Sequence, residues 1–129
     1  MPTRDPLHEY RSKRDFRRSG EPSGTRTPER GAAVRFVIQR HDASTLHFDF
    51  RLQVGDVLAS WAVPKGPSTN PRDKRFAIRT EDHPLDYVDF EGRIGEGQYG
   101  AGTVIVWDTG TYRNLTERDG RVVPVDEAL

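Results

Sequence analysis

The sequence predicts a small, mainly β domain, a barrel or sandwich with little helix, behind a flexible basic N-terminal arm. Three observations predict it. Short runs rich in β-branched and aromatic residues recur from Val34 onward, and no segment beyond residue 32 sustains a 3.6-residue period. Hairpin-type turn pairs, Gly55-Asp56 and Asp119-Gly120, stand among those runs. The first 31 residues carry only Met1, Leu7, Tyr10 and Phe16 as hydrophobic side chains, too little apolar surface to fold alone.

In chain order, residues 1–31 read as a mobile, largely disordered arm of Arg, Ser, Pro, Gly and Thr that docks through Leu7, Tyr10 and Phe16. Residues 32–129 form the body. Strands are expected over 34–41, 46–54, 57–63, 75–80, 103–107 and 121–125. Pro64-Lys65-Gly66-Pro67-Ser68 and Asn70-Pro71 mark a long loop between the third and fourth.

With 129 residues the chain is one domain in size. Leu, Ile, Val and Phe make up about 22%, just above the range where disorder is expected. The equal counts of 20 Lys+Arg and 20 Asp+Glu argue against full disorder. The absence of cysteine excludes a disulfide scaffold, a cysteine-based zinc site and a cysteine nucleophile, and fits a reducing, cytoplasmic setting. No apolar run approaches the length of a membrane span, and MPTRDPLHEY lacks the apolar region of a secretory signal. The neutral total hides an asymmetry. Residues 1–40 carry ten basic and five acidic side chains, and the rest carries the reverse excess. A basic arm on an acidic body suits an anionic partner such as nucleic acid, and also describes a plain solvated tail.

The stretch His41-Asp42-Ala43-Ser44-Thr45-Leu46-His47-Phe48-Asp49-Phe50-Arg51-Leu52 carries the chemistry. On a strand, Leu46, Phe48, Phe50 and Leu52 share one face, read as ordinary core, and His47, Asp49 and Arg51 share the other. Pairing this strand with 34–41 so that His41 faces His47 sets Ile38 against Phe50 and Phe36 against Leu52. That single register closes an apolar face and gathers His41, His47 and Asp49 on the polar one, and a one-residue slip spoils both. Two imidazoles and a carboxylate suit a divalent cation, with Zn, Fe and Mn all tolerated. Arg51 beside them suits a phosphate. The same face also reads as polar decoration turned to solvent.

A second cluster runs from Arg75 and Arg79 through Thr80-Glu81-Asp82-His83-Pro84-Leu85-Asp86-Tyr87. Loop-borne His, Tyr and Glu are common in catalytic sites, and they also serve merely to brace loops. A third stretch, Gly95-Glu96-Gly97-Gln98-Tyr99-Gly100-Ala101-Gly102, contains G-x-G-x-x-G. It opens a strand rather than a helix, so a structural glycine turn is expected and a dinucleotide site is excluded.

These stretches together strongly resemble the 3′-phosphoesterase domain of bacterial and archaeal DNA ligase D, the ligase of non-homologous end joining. The resemblance runs through residues 36–52, 60–68, 80–87 and 96–108, and Y-R-S-K-R-D-F (10–16) and E-P (21–22) look like the family's arm. It implies a compact β-barrel-like single domain with little helix. It implies manganese-dependent hydrolysis, with Co²⁺ or Zn²⁺ as other candidate metals, that removes a 3′-terminal ribonucleoside and then the 3′-phosphate to leave a 3′-OH. By motif, His41, His47 and Asp49 would hold the metal. Arg51 and Arg75, with Arg14 of the arm, would hold the phosphate. His83 and Tyr87 would complete the pocket, His83 as general acid, and Glu81 would position. The implied partners are a DNA primer-template with a 3′ ribonucleotide or 3′-phosphate end, ligase and polymerase domains, and Ku-type end-joining proteins, around a monomer with no membrane association. Two departures stand out. Gly95 replaces a usual proline, and the family's further C-terminal hairpin is expected to be missing beyond Leu129.

Two rival readings remain at this level. A 2-His-1-carboxylate set on a β-barrel also describes non-haem iron oxygenases, although three arginines suit phosphate better than a 2-oxo acid. A non-catalytic module that binds DNA ends is the other.

Overall fold

The computed structural model describes residues 5–27 and 33–125. Six strands form one antiparallel sheet: β1 (Arg35–Asp42), β2 (Leu46–Val54), β3 (Val57–Val63), β4 (Ile78–Pro84), β5 (Gly92–Ile94) and β6 (Gly102–Thr111), in the order β4-β3-β2-β1-β6-β5. The sheet curls into an open half-barrel, as the mainly β reading anticipates. β7 (Glu117–Arg118) and β8 (Arg121–Val122) form a separate ribbon across Asp119-Gly120. Both turn residues take positive φ, 53° and 75°, which this hairpin turn demands. Among the described residues no helix is long and apolar enough to cross a membrane.

The β1–β2 register is the one the alternation requires: His41 faces His47, Gln39 faces Asp49, Ile38 faces Phe50 and Phe36 faces Leu52. The direction of curl reverses the expected assignment of faces. The polar face of β2 is the buried, concave one, with Asp49 and Arg51 inside. Phe48, Phe50 and Leu52, expected as core, lie on the convex face and are only half-buried, with Leu46 exposed. Phe48 meets Trp107 edge-on at 5.5 Å there, and Trp107 stays 53% exposed.

Strand boundaries differ where pairing, not propensity, sets them. The fourth strand begins at Ile78 rather than residue 75, because β3 ends at Val63 and Ile78 is paired with Ala62 at that end. β6 runs on to Thr111 along β1, past a bulge opposite Ile38 and Gln39. β5 is three residues with no strand pattern of their own, held by β6. Pairing of the last expected strand stops at Val122, shortly before Pro124, which has no backbone N–H to give. Gly102 opens β6 at φ 141°, where a Cβ would stand 2.3 Å from Asp42 O. The glycine-rich stretch is therefore a structural turn tucked against the β1–β2 connection.

The core fills one part of the concave face. Val37 and Leu58 from the sheet pack against Leu85, Tyr87 and Val88 of a 3₁₀ turn (Leu85–Asp89) and against Tyr10 of the arm. The arm, expected to be largely disordered, is instead docked over residues 5–27, with Leu7, Tyr10 and Phe16 making the contacts. Its residues form α1 (His8–Ser12) and α2 (Phe16–Ser19); Leu7 and Tyr10 are buried, and Phe16 packs beside Tyr10 at 5.7 Å. The Asp15 side chain caps α2 at Arg17 N, and Gly20 ends it in the left-handed conformation. Two four- to five-residue helices have no stability alone, so their order comes from the sheet. The division between arm and body at residues 31 and 32 lies outside the described residues.

Two expectations follow. Tyr10 is fully buried, donates its hydroxyl to Pro22 O at 2.5 Å and lies 4.9 Å from the His83 ring. Tyr10→Ala should cost about 3 kcal/mol in urea unfolding. It should also speed tryptic cleavage at Arg11, Lys13 and Arg14; unchanged cleavage would mean the arm docks without this anchor. Second, burial alone would raise the Glu81 carboxyl, but its own backbone N–H, Arg14 and Lys13 hold it below the ordinary value of 4.5. A depressed folded pKa adds stability above that value and loses it as pH falls through the folded one. Glu81→Gln should therefore lower stability at pH 7 and flatten its decline below pH 4.5. An equal acid decline in both proteins would sink this assignment.

Candidate active site

The concave face opposite the core is a polar pocket. Its lining includes His41, His47, Asp49 and Arg51 of the β1–β2 hairpin, Glu81 and His83 of β4, Tyr87, Arg14 and Glu21 of the arm, and Tyr99. Alternation on paired strands brings the first four together.

His41, His47 and Asp49 each offer a ligand atom, all within 4.8 Å of one another. Tautomers follow from the partners. His41 Nε2 lies 2.6 Å from Gly100 O, and His47 Nδ1 lies 3.3 Å from Thr45 O. A carbonyl only accepts, so both of those nitrogens carry protons. The other nitrogens, His41 Nδ1 and His47 Nε2, then face Asp49 Oδ2 at 3.3 Å and Oδ1 at 3.2 Å. In neutral imidazoles these are lone pairs aimed at a carboxylate, which repel unless positive charge joins them. Protons on the imidazoles, or a metal ion, supply it, and the two compete. Separations of this size are those of two ligands of one ion bound at about 2.1 Å. The carbonyl bonds fix each ring as an outer shell does in metal sites. The residues present therefore fit a divalent cation. Burial would raise the Asp49 carboxyl, but both imidazoles and the Arg51 charge hold it well below the ordinary carboxylate range. The hydrogen bond to Asp49 raises His47 above its usual value.

Arg51 is buried and held on three sides. Nε donates to Gln39 Oε1 at 2.8 Å, Nη2 lies 3.5 Å from Asp49 Oδ2, and the guanidinium stacks on the Tyr87 ring at 4.7 Å. Gln39 in turn donates to Tyr87 O and Phe90 O, both at 3.0 Å. The Tyr87 hydroxyl donates to Glu21 Oε2 at 2.7 Å; burial and Glu21 push its pKa well above the ordinary value, so it stays protonated.

Arg14 reaches the pocket from the arm. It donates Nε to Glu21 and Nη1 to Glu81, at 3.0 and 2.9 Å, and places Nη2 3.4 Å from His83 Nε2. Glu81 thus positions Arg14. Glu81 also accepts from His83 Nδ1 through its carbonyl at 2.8 Å, which makes His83 Nε2 the acceptor nitrogen. Burial and the charges of Arg51 and Arg14 drive the His83 pKa well below the usual value. His83 is therefore neutral and turns a lone pair toward Arg14.

Arg75 is not brought to the pocket. It stands on the exposed loop before β4, donating Nε to Gly66 O at 3.1 Å and lying 3.7 Å from Asp73. The loop folds Gly66 onto the Phe48 ring of the convex face, which carries Arg75 with it. Three groups escaped sequence reasoning. Gln39 was accessible, since it shares the His41 face and lies opposite Asp49 in the register. Glu21 lies in the arm motif E-P, but nothing in its spacing marks a buried carboxylate; its Oε1 is the unpartnered buried side-chain atom among the described residues. Tyr99 was read only as part of a turn.

The chain is similar to known proteins. A family model described as the DNA Ligase D 3′-phosphoesterase domain matches residues 39–127. The multifunctional non-homologous end joining protein LigD of Pseudomonas aeruginosa is 55% identical over 123 residues, 93% of this chain and 14% of that protein. The multifunctional non-homologous end joining DNA repair protein LigD of Mycobacterium tuberculosis is 51% identical over 111 residues, 86% of this chain and 15% of that protein. The chain thus spans about one seventh of the length of these relatives. On the family match and these identities, the chain belongs to the DNA ligase D 3′-phosphoesterase domain family.

Proposed function

We propose that this chain is a metal-dependent hydrolase of DNA 3′ ends in non-homologous end joining, acting in the cytoplasm as a monomer. It first removes a 3′-terminal ribonucleoside and then the 3′-phosphate. The observation that carries the reading is the convergence of two imidazole lone pairs and a carboxylate beside Arg51, Arg14 and His83.

His41, His47 and Asp49 would hold a divalent cation, Mn²⁺ for preference and Co²⁺ or Zn²⁺ as substitutes. The cation supplies Lewis-acid polarisation of a phosphate oxygen. Arg51 and Arg14 bind the other phosphate oxygens and stabilise charge that builds on them. Water adds its oxygen to phosphorus, the bond to the terminal nucleoside's O5′ breaks, and O5′ takes a proton. His83 is placed to give that proton only once it has gained one. The entering phosphate offsets the two arginine charges that keep His83 neutral, which raises its affinity for a proton. In the second step water adds again, the bond to the primer's O3′ breaks, and a 3′-OH and inorganic phosphate leave. The end-joining setting rests on the relatives' names; ligase and polymerase domains and Ku-type proteins as partners rest on the resemblance to the DNA ligase D family alone.

A 5′-labelled primer-template whose primer ends in one ribonucleotide tests the reading. Mn²⁺ should produce 3′-phosphate and then 3′-OH ends, and chelator or His47→Ala should abolish both. A folded chain that binds this DNA and leaves it intact with Mn²⁺ would instead be a binding module. Metal titration by calorimetry separates the roles. His47→Ala and Asp49→Ala should lose Mn²⁺ binding. Arg51→Lys should keep it while losing a hundredfold or more in kcat, since a point charge cannot replace the planar fork (about 3 kcal/mol). Equal metal loss in Arg51→Lys would contradict that division.

A further inference from the structure

Tyr99 is the exposed aromatic side chain among the residues that line the pocket, with 49% of its surface accessible, whereas Tyr87 and His83 are buried. It sits on a hydrogen-bonded turn. Gln98 N donates to Gly95 O and Ala101 N to Gln98 O, both at 3.1 Å, and Gly97 and Gly100 take positive φ. The next residue's carbonyl, Gly100 O, accepts from His41 at 2.6 Å, so the ring is one residue from a contact to the proposed metal centre. Arg14, which touches His83, lies 5.2 Å from the ring centroid, and Lys13 Nζ lies 5.0 Å from it. An exposed aromatic face beside two cations and the proposed phosphate site suits a nucleobase, because every base offers a π-face and stacking needs no sequence.

We propose that Tyr99 is the stacking platform for the base of the 3′-terminal nucleoside, so that the pocket selects a nucleoside-bearing end over a bare sugar-phosphate end. This rests on the reading under Proposed function. Stacking acts on the leaving nucleoside, so it contributes to the first hydrolytic step and not to the second. It also predicts little preference among the four bases.

Three primers test the proposal: one ending in a ribonucleotide, one ending in an abasic ribose at the same position, and one ending in a 3′-phosphate. Wild type should show a KM about tenfold lower for the base-bearing end than for the abasic one. Tyr99→Leu should raise KM about tenfold on the base-bearing end with kcat little changed, and leave the other two primers as in wild type. Tyr99→Phe should match wild type, and Lys13→Met should keep the preference for a base. No preference in wild type, or an equal loss by Tyr99→Leu on all three primers, would overturn the proposal; the latter would make the ring a fastener for the arm. If wild type processes none of the primers, the reading under Proposed function fails, and equilibrium binding decides this one. A nucleoside 5′-monophosphate, which carries the scissile phosphate on the O5′ of the leaving nucleoside, should bind more tightly than ribose 5-phosphate by calorimetry with Mn²⁺, and Tyr99→Leu should erase the difference. Equal affinities in wild type would end the proposal.

Discussion

Charges turned into the concave face of a curled sheet must be compensated there, and the rest of the molecule is arranged around that constraint. An isolated buried charge is far too costly to keep, whereas a paired and hydrogen-bonded one is tolerated. The pocket lining carries two arginines, Arg14 and Arg51, and three carboxylates, Glu21, Asp49 and Glu81, with His83 held neutral. That leaves one net negative charge, and it lies where two imidazoles aim at Asp49. A divalent cation there reverses the sign to one net positive charge. The same site would then attract a phosphate, and Lys13, 3.3 Å from Glu81 at the rim, would add to the attraction. In the proposed function, metal and phosphate affinity would therefore be two consequences of one charge count.

The groups that satisfy this constraint also join the parts of the fold. Arg51 ties β2 to Gln39 of β1, and Gln39 ties β1 to the 3₁₀ turn through two backbone carbonyls. Tyr87 on that turn stacks under Arg51 and reaches Glu21 of the arm. Glu21 and Glu81 then clamp Arg14 between the arm and β4. The links from Gln39 to the 3₁₀ turn, from Tyr87 to Arg51 and Glu21, and from Arg14 to Glu81 join elements distant in sequence. Removing one partner leaves a buried charge or dipole behind, a loss of about 3–5 kcal/mol for an ion pair. Structural and functional roles cannot be separated at these positions, because the hydrogen bonds that aim the side chains are those that hold the elements together.

The hairpin that carries His41, His47 and Asp49 was legible because register is a local property. One pairing satisfied an apolar face and a polar face together, and the structure adopts it. Which face turns inward was not legible. Phe48, Phe50 and Leu52 make the better-looking core, and only the curl of the whole sheet shows that Asp49 and Arg51 occupy the inside. Arg75 was misplaced for a related reason. Its alternation with Phe76 and Ile78 suits a strand, but the sheet begins pairing at Ile78, and the residues before it follow the loop to Gly66. Gln39 was one step of register away from notice. Glu21 was beyond reach, since it belongs to a segment with no periodicity and is buried only when that segment docks.

That docking gives the arm a role different from that of the sheet. The hairpin brings the three metal-ligand candidates together through pairings within residues 35–54, and the Gly100 carbonyl holds the His41 ring. Arg14, between the two short helices, and Glu21, just beyond the second, come instead from a segment held down by Tyr10, Leu7 and Phe16 and by ion pairs to Glu81. Segments with so few buried contacts open at lower free energy than the sheet beneath them. When the arm lifts, the metal ligands remain in register, while the pocket loses one of its two arginines, the acceptor of the Tyr87 hydroxyl and the cations beside Tyr99. The site is thus assembled in two tiers. Under the proposed function, the sheet would fix where a cation sits, and the equilibrium of the arm would set what fraction of molecules can hold a phosphate against it.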